Sequence, residues 1–129
     1  MRGMDHSAQT ILVVDDQPVN LAVLGDLLEP AGYQLLSATG ASDALRIAAK
    51  ARPDLILLDI MMPEISGLDI LRSMRSNPDM ALIPVVVISA RATPTDIKNG
   101  LDAGASIYLT KPVSYMDLKN AVDGLLQGK

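Results

Sequence analysis

The chain contains no cysteine, no phenylalanine and no tryptophan, and a single histidine. Without cysteine there is no disulfide framework and no thiolate metal site. The one histidine, His6, lies in a polar N-terminal stretch, which argues against zinc chemistry. Without the large apolar rings, the core must be aliphatic, built from Leu, Ile, Val, Ala and Met. No apolar run is longer than a strand, far short of the roughly 20 residues that a membrane-crossing helix needs. There is no cluster of Lys and Arg either. Eleven basic residues against 15 acidic ones leave a formal net charge of -4, a poor basis for direct nucleic-acid binding. No hydrophobic segment follows Met1 to His6, so no signal peptide is read. These absences together predict a soluble cytoplasmic domain without a membrane or nucleic-acid partner.

What is present is enough for one domain. The 129 residues are 49% hydrophobic, which suits a single buried core and excludes a disordered chain. Residues 1–9 read as a flexible tail and 10–127 as the folded domain.

Short apolar runs alternate with amphipathic stretches. Ile11 to Val14 reads as a first strand ending in Asp15-Asp16. Pro18 suits the first turn of a helix that carries Leu21, Leu24, Leu27 and Leu28 and stops at Pro30 and Gly32. Tyr33 to Ser37 reads as a second strand. Residues 41–51 form an Ala-rich helix closed by Arg52-Pro53. Leu55 to Leu58 is apolar at every position, the mark of a strand covered on both faces, and it ends in Asp59. After a loop with Pro63 comes a helix around 67–76. Val85 to Ile88 is another fully apolar strand, ending in Ser89. Thr93 and Pro94 start a helix that holds Gly100 in its interior and closes at Gly104. Ile107 to Thr110 is the last strand, followed by Lys111-Pro112. Ser114 caps a final helix whose Leu118, Ala121, Val122, Leu125 and Leu126 form one apolar stripe.

Five strands alternating with five helices predict a parallel sheet covered on both faces, an α/β three-layer sandwich. For five such units the flavodoxin-like strand order 2-1-3-4-5 is the common solution. In a parallel sheet all carboxyl ends lie on one edge, where ligands bind. That edge would gather Asp15, Asp16 and Asp59 with Ser89 and Lys111. Three carboxylates repel one another unless a cation intervenes. A hard divalent ion such as Mg²⁺, which takes oxygen ligands, fits this set. A carboxylate nucleophile beside a cation, a hydroxyl and an ammonium suits phosphoryl transfer, which depends on positioning and charge neutralisation.

Four motifs in order carry a resemblance: Asp15-Asp16, the run from Asp59 through Pro63 to Gly67, Ser89-Ala90 and Lys111-Pro112. From about Ile11 to Leu126 the chain resembles the receiver domain of two-component response regulators. The resemblance implies that Asp59 is the phosphoacceptor. Asp16 and Asp59 would hold Mg²⁺ directly, Asp15 partly through water, and the Met61 backbone carbonyl would complete the set. Ser89 would bind one phosphoryl oxygen and Lys111 another, Lys111 pairing with Asp59 beforehand across a cis Lys111-Pro112 bond. Tyr108 stands at the switch-aromatic position. Ser89 and Tyr108 would move together and alter the surface of helix four, strand five and helix five. The resemblance further implies a histidine kinase or histidine phosphotransfer protein as donor and an effector protein or domain downstream. It admits a phosphorylation-dependent dimer. Pro18, Val19 and Pro112 are candidates for the donor-docking surface. Met61 and Arg91 flank the expected phosphate.

Blander readings compete. Asp15-Asp16 could merely favour a helix N-terminus, Lys111 could be a solvated lysine, and Tyr108 could be a half-buried strand aromatic. An Asp-nucleophile phosphatase usually has a second acid two positions after the nucleophile, where this chain has Met61. No Gly-rich nucleotide loop follows the first strand. A phosphorylation-independent scaffold would be expected to have lost acidic residues that this chain keeps.

Overall fold

The computed structural model describes residues 9–59 and 67–127. Residues 60–66, with the expected Met61 carbonyl ligand, and residues 1–8, with His6 and most of the expected tail, lie outside the described residues. Five strands alternate with five helices: β1 Thr10–Val14, α1 Pro18–Leu28, β2 Gln34–Ala38, α2 Ala41–Ala51, β3 Leu55–Asp59, α3 Gly67–Ser76, β4 Val85–Ser89, α4 Pro94–Asp102, β5 Ile107–Thr110 and α5 Tyr115–Gln127. All four strand pairings are parallel, and the sheet order is β2-β1-β3-β4-β5, as the alternation and the resemblance imply.

Successive strand residues point to opposite faces, so the fully apolar strands supply two cores. Leu12, Val14, Ile56, Leu58, Val85 and Val87 face α2, α3 and α4. Ile11, Val13, Leu55, Leu57, Val86 and Ile88 face α1 and α5. β3 and β4 are buried at every position. Burying such a Leu, Ile or Val side chain contributes roughly 1.5–3 kcal/mol relative to exposure.

The helix boundaries follow local chemistry. Thr93 accepts the Asp96 N–H through its hydroxyl at 3.1 Å, and Ser114 does the same for Asp117 at 3.0 Å, each satisfying a donor the helix leaves open. α1 ends at Leu28, and a 3₁₀ turn over Glu29–Ala31 leads to Gly32 at φ 93°. That left-handed turn is the conformation glycine adopts without penalty. The second strand starts one residue later than the sequence suggests. Tyr33 is buried against the α1–α5 core, and its hydroxyl donates to Asp123 Oδ1 at 2.6 Å. The ring serves the packing of α5 rather than the ladder.

Arg75, in the last turn of α3, ties three segments together. Its guanidinium donates to Ala81 O at 2.9 Å, Ile83 O at 2.7 Å, and Gly104 O at 3.0 and 2.8 Å. Burial pushes its ionisation down from the ordinary value. Among the described residues, no helix is long and apolar enough to cross a membrane.

Candidate functional site

The site grows from strand register. Val14 pairs with Leu58, so one further step sets Asp15 beside Asp59. Asp15 continues the face of Ile11 and Val13, and Asp59 that of Leu55 and Leu57. Both carboxylates therefore emerge on the α1–α5 side of the sheet edge. Asp15 is 2% exposed and Asp59 7%. With Asp16, half-buried, they bring one carboxylate oxygen each to within 4.8 Å of one another.

Charges this close in a buried edge must be compensated. Lys111 Nζ donates to Asp59 Oδ2 at 3.2 Å. The lysine is held there because its backbone N–H bonds Ser89 O at 2.8 Å, fixing the start of the β5–α5 loop on the end of β4. The following Lys111–Pro112 peptide is cis. Asp15 Oδ1 accepts the Gln17 N–H at 3.0 Å. Burial, and then the neighbouring Asp59 charge, nevertheless raise the Asp15 carboxyl above its ordinary value, against the partial relief from the Gln17 N–H, Lys111 and the Asn20 side chain. Burial and the neighbouring Asp59 charge together disfavour the ionised form of Asp15.

The donor set fits a hard divalent cation. It offers three carboxylate oxygens and no nitrogen or sulfur ligand, the chemistry of a Mg²⁺ site. Ser89 is fully buried at the end of β4, and its Oγ accepts the Arg91 N–H at 3.1 Å. A hydroxyl that accepts an N–H keeps its own proton to donate. Tyr108, on edge strand β5, donates its hydroxyl to Arg91 O at 2.8 Å.

Asp15, Asp16, Asp59 and Lys111 thus share one edge, with Ser89 at the neighbouring strand end. Pro18, Val19 and Pro112 are exposed beside it. Asn20 went unremarked in the sequence, yet from the first turn of α1 its side chain helps hold the Asp15 carboxyl down. The signal was available: it is the polar residue next to Leu21 at the start of an apolar helix. The site opens into a cleft of about 500 Å³ whose apolar wall includes Val23, Leu24 and Val113.

A doubly wound parallel sheet with an acidic cluster and a lysine at its carboxyl edge defines a class of α/β domain whose ligands bind at the strand ends. Comparison with known proteins narrows the class. Residues 11–123 match the model of the response regulator receiver domain. The chain is 35% identical over 118 residues to protein PilH of Pseudomonas aeruginosa, covering 92% of this chain and 98% of the relative. It is 40% identical over 125 residues to a probable cyclic di-GMP phosphodiesterase of Vibrio cholerae, covering 97% of this chain but 28% of that longer protein. The signal receiver domain of a signal transduction histidine kinase from Syntrophus aciditrophicus matches with a TM-score of 0.85 at 35% identity, covering 93% of this chain and 91% of that one. The chain belongs to the response regulator receiver family. Receiver domains are signalling domains, and accepting a phosphoryl group is the family's general function.

Proposed function

We propose that this chain accepts a phosphoryl group on Asp59 from a histidine kinase or histidine phosphotransfer protein and passes the signal to an effector protein or domain. The observation that carries the reading is the buried Asp59 carboxylate, flanked by Lys111 at 3.2 Å and by two further carboxylates within 4.8 Å. An Asp59 oxygen would form the new O–P bond as the donor's P–N bond breaks and its electron pair returns to the imidazole nitrogen. Asp15, Asp16 and Asp59, with the Met61 carbonyl, would hold Mg²⁺. When bound, that ion supplies neutralising charge at the phosphoryl oxygens. Lys111 would transfer its ammonium from Asp59 to a phosphoryl oxygen, and Ser89 would donate its hydroxyl to another. Water attack on phosphorus later releases phosphate and restores the carboxylate. The Ser89–Arg91–Tyr108 connection supports a response on the α4–β5–α5 face, where Leu101, Tyr115 and Met116 are exposed. The exposed Val19 and Val23 of α1, beside the cleft, suit a donor that docks through apolar contact.

Intact mass after incubation with acetyl phosphate tests the chemistry. One added phosphate should appear with Mg²⁺ and be absent both in chelator and in Asp59→Asn. An adduct that persists in Asp59→Asn would refute the assignment.

A further inference from the structure

Gly100 is buried inside α4, where a glycine weakens a helix. A Cβ built on it would lie 2.6 Å from Tyr108 Cδ2 and 2.7 Å from Cε2, inside any tolerable contact. The tyrosine ring therefore fills the space that a side chain at position 100 would need. From that seat the Tyr108 hydroxyl reaches Arg91 O at 2.8 Å, while the Arg91 N–H reaches Ser89 Oγ at 3.1 Å. The Arg91 peptide is gripped at both ends, by a ring resting on α4 and by the serine at the end of β4.

We propose that Gly100 is a positioning residue for the phosphoryl site: its missing side chain seats Tyr108, and through the Arg91 backbone it sets where the β4–α4 loop holds the Ser89 hydroxyl. The proposal rests on the phosphoacceptor reading of Asp59, Ser89 and Lys111. Gly100→Ala pushes the ring off its seat and detaches Tyr108 from Arg91. The loop then loses one of its two anchors, and the Ser89 hydroxyl its orientation. In a Tyr108→Ala background there is no ring to displace, so the same change should have no further effect.

The test is a double-mutant cycle on Gly100→Ala and Tyr108→Ala, with folding of each variant confirmed by circular dichroism. The Arg91 amide is followed by NMR, and the affinity for beryllofluoride with Mg²⁺ by titration. Gly100→Ala should shift the Arg91 amide, speed its solvent exchange and weaken beryllofluoride binding about fivefold, as expected for one lost hydrogen bond. Introduced into Tyr108→Ala, it should change affinity less than about twofold, the non-additivity expected of coupled residues. Equal losses in both backgrounds, or an unmoved Arg91 amide, would overturn the proposal. A wild-type protein that fails to bind beryllofluoride would instead overturn the phosphoacceptor reading, and the Arg91 amide would still decide whether Gly100 seats the ring.

Discussion

Replacing Asp15 by Asn should make the metal-free protein more stable, although it alters a residue of the candidate site. Asn keeps an oxygen to accept the Gln17 N–H now held at 3.0 Å and removes the charge. In the folded chain that charge is 2% exposed and faces Asp16 and Asp59 within 4.8 Å. At that separation each like-charge pair costs roughly 3.5 kcal/mol with an effective dielectric constant of about 20. Attraction to Lys111 cancels part of this, and the raised Asp15 carboxyl shows that burial, and then the Asp59 charge, prevail. A net gain of about 1–2 kcal/mol is expected for Asp15→Asn near neutral pH. Urea denaturation in chelator would measure it. Saturating Mg²⁺ should reverse the order, because the wild type gains about 2.7 kcal/mol at one hundred times its dissociation constant and the variant loses most of that. The pH dependence has a definite sign. A raised carboxyl destabilises the fold fully above its folded pKa and not at all below its ordinary value of 3.8. The advantage of the variant should therefore shrink as pH falls through that window. A variant less stable than wild type in chelator, or one stabilised equally by Mg²⁺, would refute the reasoning.

Two other changes probe the scaffold and the surface. Arg75→Met keeps much of the side chain's bulk but strands the carbonyls of Ala81, Ile83 and Gly104. It should cost about 3 kcal/mol in urea denaturation, with Arg75→Lys only partly restoring stability because an ammonium lacks the planar fork. Val19→Glu, at a position 63% exposed on α1, should slow phosphoryl transfer from the protein donor at least tenfold while leaving labelling by acetyl phosphate unchanged. Equal loss of both would place Val19 in the site itself rather than on a docking surface.

The strands and the strand-end residues were legible because their signal is local. An apolar run such as Leu55 to Leu58, short and set between turn residues, signals a doubly covered strand, and the polar residue that ends such a strand sits at the sheet edge. Caps at Thr93 and Ser114 were legible for the same reason, since each closes over its own first turn. The start of β2 was misplaced by one residue because Tyr33 is apolar enough to read as strand, whereas its place was decided by Asp123, ninety positions away on α5. The same holds for Arg75, whose carbonyl partners lie up to 29 positions distant, at Gly104. It holds again for Gly100, which in the sequence is a weak helix residue and in the fold is the seat of a tyrosine from the neighbouring strand. By itself the sequence determined which chemistry would meet at one edge, because periodicity and strand ends depend on near neighbours. Only the tertiary structure decided how deeply the Asp15 carboxylate is buried beside Asp59 and which glycine lies against which ring, because burial and contact depend on segments that folding brings together.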